Sequence, residues 1–226
     1  MFSGSWDCHN RTQPIPKSVL EYWPFKLVGK LKFTVSVNVS GYCTAQLFRD
    51  GTLLTAAHCI YGRGQFRYNF EYEPVSGFPA QHLYIKKVCI RKQWITSEER
   101  DYSSDYAFLK LASPPKLNPK DEFYSTWSVD AVDKIAYAFG FPDKHPKQCV
   151  GNACVVFSKA VESGSKIILQ PCNYMQSGSS GGVWGYFGEK GQMASSVTSH
   201  HYVSTAELGP ILDADAKQLW EYTKTE

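Results

Sequence analysis

An all-β fold ending in a short helix is what this sequence predicts, on three observations. Aromatic residues make up 15% of the 226 residues, with 14 Tyr and 13 Phe. Turn formers, 17 Gly and 12 Pro, are scattered without a period. Aromatic and β-branched segments broken by such residues suit a pleated, half-buried surface. Finally, apolar positions alternate with a period of two until Asp213, where the spacing becomes helical.

Each element follows in order. Residues 1–24 show no period and read as an irregular lead-in. The first strand is 31–39, with Phe33, Val35, Val37 and Val39 on one face and Asn38 on the outer one. Next come 42–48, a turn at Arg49-Asp50-Gly51, and 52–57, since Asp-Gly between apolar runs signals a hairpin. Further strands are expected at 66–72, 83–90 and 106–111. In 66–72, Tyr68, Phe70 and Tyr72 alternate with polar residues and should pack one face. The prolines at 114, 115 and 119 lack ladder donors, so 114–120 reads as a linker between lobes 25–113 and 121–212. The second lobe offers strands at 134–139, 155–161, 166–170, 182–187 and 194–200. Ala216, Leu219, Trp220 and Thr223 then place an amphipathic helix within 213–226, capped by Asp213 or Asp215.

Composition excludes some classes. Hydrophobic residues at 43% and charged residues at 20% describe a chain with a core. A net charge of +3 argues against a nucleic-acid binder, which needs a dense basic patch. Apolar runs are short and broken by charges, so no transmembrane helix is expected. The seven cysteines are odd in number, leaving at least one without a partner in this chain. With sequons at Asn10-Arg11-Thr12 and Asn38-Val39-Ser40, they point to a secreted glycoprotein. The residues after Met1 are polar, including Asp7, His9 and Arg11, and show no signal peptide.

Three motifs carry chemistry: Thr55-Ala56-Ala57-His58-Cys59; Asp105-Tyr106-Ala107-Phe108-Leu109-Lys110, opening an apolar strand; and Gly178-Ser179-Ser180-Gly181-Gly182. His, then Asp, then Ser is one of the chain orders of a Ser-His-Asp triad. A serine hydroxyl is a poor nucleophile at neutral pH, so a base must take its proton as it attacks. Asp101 rivals Asp105 as the acid, but Asp105 is the one that opens the apolar strand.

On these motifs, across 25–222, the chain resembles the trypsin/chymotrypsin-like serine peptidases, in particular the secreted bacterial and fungal branch near the glutamyl endopeptidases. The resemblance implies two antiparallel six-stranded β-barrels with the site in the cleft between them. It implies His58 as general base, Asp105 as the group orienting it, and Ser180 as nucleophile, with oxyanion donors on the backbone of Gly178 and Ser180. It also implies a Cys43–Cys59 disulfide anchoring the histidine loop. The other pairings stay open: Cys149 or Cys154 with Cys172, and Cys8 with Cys89.

The chain departs from the family pattern in places. Ser179 stands where many animal members carry an aspartate that pairs with a new N-terminus, so that activation switch is not available. Val183 replaces a frequent proline. Tyr174, six positions before Ser180, replaces the aspartate of trypsin-type pockets, so cleavage after Lys or Arg is not expected. Tyr174, Met175, Thr198, Ser199 and His200 are the candidate substrate-binding residues. His200 either favours an acidic side chain or sits with His201 on a solvated loop.

Metal and cofactor signals are absent. Cys8-His9, the Cys149 and Cys154 pair and His200-His201 do not form a familiar zinc set. Gly62-Arg63-Gly64 is too short for a phosphate loop, and no carboxylate pair suggests a glycosidase. The expectation is a monomeric serine endopeptidase without cofactor, acting on protein or peptide substrates and on neither nucleic acid nor membrane. Two alternatives are an inactive homologue that binds proteins through the cleft, and an esterase using the same triad.

Overall fold

The computed structural model describes residues 12–22, 24–48, 50–75, 83–97, 100–117, 124–125, 132–144, 146–150, 152–188, 191–203 and 206–225. The strands of the first half are β1 (Thr12–Pro14), β2 (Val28–Ser36), β3 (Val39–Leu47), β4 (Thr52–Thr55), β5 (Tyr61–Gly62), β6 (Gln65–Phe66), β7 (Tyr68–Pro74), β8 (Leu83–Ile90) and β9 (Ala107–Leu111), with a one-turn helix α1 (Lys92–Thr96) before β9. The second half adds β10 (Tyr124–Ser125), β11 (Ile135–Gly140), β12 (Cys154–Lys159), β13 (Val161–Glu162), β14 (Ile167–Pro171), β15 (Val183–Gly188), β16 (Gly191–Val197), β17 (His200–Val203), β18 (Ala206–Pro210) and helix α2 (Ala214–Lys224).

The first lobe is a closed barrel in the order β2-β3-β4-β9-β8-β7. Leu31, Leu47, Leu53, Tyr72 and Leu109 fill it and are fully buried. Inward and outward positions alternate along each strand, so the apolar period of two closes on one core. The Asp50–Gly51 turn forms as expected. Gly51 adopts φ +78, and Asp50 accepts hydrogen bonds from the Thr52 N–H at 2.8 Å and its hydroxyl at 2.5 Å. Arg49 lies outside the described residues.

The expected strand 31–39 breaks into two. The chain turns at Val37–Asn38, with Ser36 opposite Val39 and Asn38 at φ +63. Val37 is therefore 82% exposed at a hairpin tip instead of packed inward. A two-residue turn preserves the apolar alternation in sequence, which is why the break leaves no trace there.

The second lobe is also built of β-strands. It consists of a six-stranded sheet, β1-β12-β11-β15-β16-β10, and a four-stranded sheet, β13-β14-β18-β17. One residue after β12 ends at Lys159 the chain enters β13, which pairs with β14, so this stretch links the two sheets. The lead-in, expected to be irregular, contributes β1, which pairs antiparallel with β12. Among the described residues all pairings are antiparallel except the short β10–β16 contact. Helix α2 is capped by Asp213, whose carboxylate accepts from the N–H groups of Asp215 and Ala216. It lies against the first barrel, where Trp220 Nε1 donates to Thr52 Oγ1 at 3.0 Å.

Cys43 and Cys59 form a disulfide. Cys149 and Cys154 bond to each other and not to Cys172. They lie five residues apart: Cys149 ends the 3-10 turn Lys147–Cys149 and Cys154 opens β12. Cys172 is also disulfide-bonded, its partner lying outside the described residues. Cys89 is a free, buried thiol inside the first lobe, so it does not pair with Cys8. Among the described residues no helix is long and apolar enough to cross a membrane.

Candidate active site

His58 sits on a 3-10 turn, Ala57–Cys59, at the end of β4. The neighbouring Cys59 ties this turn to β3. Asp105 follows a second 3-10 turn, Tyr102–Ser104, just before β9. Asp101, the sequence rival, caps that second turn by accepting from the Ser103 N–H and hydroxyl.

Asp105 is completely buried. Its Oδ1 accepts the His58 backbone N–H at 2.8 Å, and its Oδ2 lies 2.8 Å from His58 Nδ1. Oδ2 also accepts the hydroxyl of Ser199 at 2.5 Å. Burial alone would raise the Asp105 pKa. The His58 charge and the hydrogen bonds from His58 and Ser199 outweigh it, and the net direction is down. The carboxylate therefore stays ionised beneath the imidazole, favours a proton on Nδ1 and leaves Nε2 to face outward.

The turn 178–182 docks against this pair from the second lobe. Thr44 N–H donates to the Ser180 carbonyl at 2.8 Å, and Gly181 N–H donates to the Thr198 carbonyl at 2.8 Å. Gly181 at φ +79 lies so close to Thr55 and Ala56 that a Cβ there would overlap both. Ser180 is thus held beside the residues that lead into His58. Gly178 adopts φ +92, and a Cβ there would overlap the Phe141 carbonyl and the Tyr42 ring. Its carbonyl accepts from Thr44 Oγ1 at 2.8 Å. Among the described residues, neither the Gly178 N–H nor the Ser180 N–H has a hydrogen-bond acceptor, so both donors remain open.

Ser179 is buried, and its hydroxyl lies 3.0 Å from the Met175 carbonyl and 2.6 Å from the Gln176 carbonyl. The loop before the Ser180 turn therefore braces itself within five residues, through a neutral contact.

The expected substrate-binding residues divide. Tyr174 is half-buried, and Met175 is fully buried with Ala138 and Trp184. Thr198 Oγ1 accepts from Trp184 Nε1 at 2.8 Å. Ser199, expected on a pocket wall, directs its hydroxyl at Asp105. His200 stacks on Tyr102, with ring centroids 3.6 Å apart and planes at 19°. Its Nδ1 is 3.2 Å from Ser199 Oγ. Because that hydroxyl donates to Asp105, His200 Nδ1–H serves as donor to Ser199. Burial is the first cause holding the His200 pKa below its usual value.

Sequence reasoning missed Glu207. It is buried in β18, opposite His201 of β17, and pairs with that imidazole. Burial raises its pKa to about 7, against the opposing pull of His201. A glutamate inside the apolar stretch of β18 was the available signal. As for metals, Cys43, His58 and Cys59 place candidate ligand atoms within 4.8 Å of one another. Both sulfurs are already bonded to each other, so the cluster lacks thiolates to offer.

Fold and site together define a two-lobed β protein whose cleft joins a buried Asp–His pair on one lobe to a glycine-flanked serine turn on the other. The family model for trypsin matches residues 27–156. The chain belongs to the trypsin family of serine proteases. Solved structures share the fold. A thermostable serine protease, AL20, from an extremophilic microorganism is 22% identical with a TM-score of 0.75, over 92% of this chain and 99% of that one. The protease Anisep from Arthrobacter nicotinovorans is 22% identical with a TM-score of 0.74, over 95% and 100%. A Glu endopeptidase is 16% identical with a TM-score of 0.77, over 95% and 97%.

Proposed function

We propose that this chain is a serine endopeptidase using Ser180, His58 and Asp105. The observation that carries the reading is the buried Asp105 carboxylate. It grips His58 through both the backbone N–H and Nδ1, next to a serine turn with two open N–H groups.

In the proposed reaction His58 Nε2 takes the Ser180 proton as Oγ bonds to the scissile carbonyl carbon. The carbonyl π electrons move onto oxygen, and the N–H groups of Gly178 and Ser180 receive that charge. Losing one such donor costs about 2.7–4 kcal/mol in related sites. Collapse breaks the C–N bond, and His58 returns its proton to the leaving amine. Water, deprotonated by the same imidazole, then bonds to the acyl carbon; the Ser180 C–O bond breaks, and His58 returns the proton to Ser180 Oγ as the acid product leaves. Asp105 stays ionised and stabilises the imidazolium. Ser179 supports a site that forms without an ammonium partner for the nucleophile loop. Tyr174, standing where trypsin-type pockets carry an aspartate, supports a preference other than Lys or Arg. The disulfides support an oxidising, extracellular setting. The exposed hairpin tip carrying Asn38 would accept a glycan.

The test is labelling by a fluorophosphonate probe. Wild type should label, and Ser180→Ala and His58→Ala should not. A folded wild type that stays unlabelled would favour the inactive homologue that binds proteins through its cleft.

A further inference from the structure

Beside His58 lies a cavity of about 460 Å³. Its walls include Ser199 and His200 of the second lobe and three arginines of the first: Arg63, Arg67 and Arg100. No carboxylate is among its described lining residues. Among the described residues none of the three guanidiniums forms an ion pair. Asp105 serves His58 and Ser199, and Asp101 serves Ser103.

Two of the arginines are placed by identifiable devices. Arg67 Nη1 donates to the Cys59 carbonyl at 3.3 Å, and its guanidinium lies 4.3 Å from the centroid of the Phe33 ring. Arg63 occupies the tip of the β5–β6 hairpin. It has φ +55, followed by Gly64 at φ +79, the signs a type I′ turn requires. For a side chain other than Gly, Asn or Asp this conformation is strained. The hairpin holds it through its ladder and the edge-to-face pair Tyr61–Phe66, centroids 4.9 Å apart. Arg63 also lowers the Arg67 pKa, second to burial, as an unneutralised like charge does.

We propose that this cavity is a subsite for an acidic substrate side chain, Asp or Glu, immediately N-terminal to the residue whose bond is cut. The position rests on the proposed peptidase reading, in which Ser199 and His200 bind substrate beside the residue whose bond is cut; the cavity, which they line together with His58, takes the neighbouring side chain on the acyl side. A carboxylate entering it meets guanidinium donors with fork geometry and no competing anion among the described lining residues. Arg63 and Arg100 are exposed, so the preference is moderate and salt-sensitive.

The test is equilibrium binding to the Ser180→Ala protein, which needs no turnover. The probes are acetyl-Ala-Ala-X-Z peptides with a free carboxylate, X being Asp, Asn or Lys and Z being Leu, Phe, Glu or Lys in turn. With the Z that binds best, Asp at X should bind about tenfold tighter than Asn at low salt. The ratio should shrink as salt rises and approach one in Arg63→Gln/Arg100→Gln. In Lys116→Gln, a cation outside the cavity, the ratio should remain. A ratio near one in the parent protein, a ratio that survives the double arginine substitution, or no binding of any Asp peptide would overturn the proposal. Fluorophosphonate labelling of wild type reports separately on the serine. Labelling without acidic preference sinks only the subsite, and preference without labelling sinks only the catalytic reading.

Discussion

Asp105 shows how much one buried carboxylate can organise. It receives three hydrogen bonds from groups on both lobes: the His58 N–H, His58 Nδ1–H and the Ser199 hydroxyl. Its depressed pKa makes it a source of stability above the ordinary carboxylate range, lost as pH falls through the lower folded value. Asp105→Asn keeps the volume but puts an amide where two donors now meet an anion. Under the proposed mechanism the imidazole then loses its tautomer preference. We expect kcat on a peptide substrate to fall by about 10⁴-fold, with the circular dichroism spectrum retained. A loss of less than tenfold in folded protein would show that Asp105 does not orient the base. Ser179 is the contrasting case at this scale. Its hydroxyl braces the loop before Ser180 through the Met175 and Gln176 carbonyls, contacts without charge.

Local chemistry decides the elements that end in turns and caps. Helix α2 begins where the Asp213 carboxylate accepts two otherwise unpaired N–H groups. Lys166 Nζ lies 2.6 Å from that carboxylate and 3.2 Å from Asp215, while Arg91 of the first lobe holds Asp215 at 3.0 Å. Asp213→Ala should lower stability by about 1 kcal/mol, the usual cost of a lost N-cap, read as a shift in urea midpoint at constant slope. No shift would mean that the packing of Trp220 alone fixes the helix. The cap and the Asp50–Gly51 turn were legible in the sequence because their geometry depends on residues one to three positions away. So were the three motifs of the site, whose residue types are demanded by chemistry. The turn at Val37–Asn38 was not legible, because the alternation runs straight through it. The roles of Ser199 and Glu207 were hidden for another reason. Ser199 meets Asp105 across 94 positions, and Glu207 meets His201 only because β17 and β18 pair. Such contacts are set by tertiary register, which local pattern does not encode.

Across the whole molecule, stability should carry the signature of the His201–Glu207 pair. Glu207 titrates near 7 in the fold, against 4.5 for an ordinary glutamate. Between those values the folded state holds a proton that the unfolded state has released, so the group's contribution to stability falls as pH rises through this window. His201 acts in the same direction. Its contact with Glu207 raises its pKa above 6.5. The stability it supplies is complete below 6.5 and is lost as pH climbs through the folded value. Glu207→Gln removes the ionisable partner and with it the cost of burying an anion at high pH. The variant should therefore gain on wild type as pH rises from 5 to 8, measured as the difference in urea midpoint at each pH. The comparison cancels every titrating group the two proteins share, including Asp105, whose contribution changes only at lower pH. A difference that stays flat across this range, or one that moves against the variant, would mean that Glu207 is already ionised at pH 5 and that His201 fully compensates its burial. In that case the buried pair would be a permanent ion pair bracing β17 and β18, the strands that follow Ser199 and so hold the second lobe's contact with Asp105.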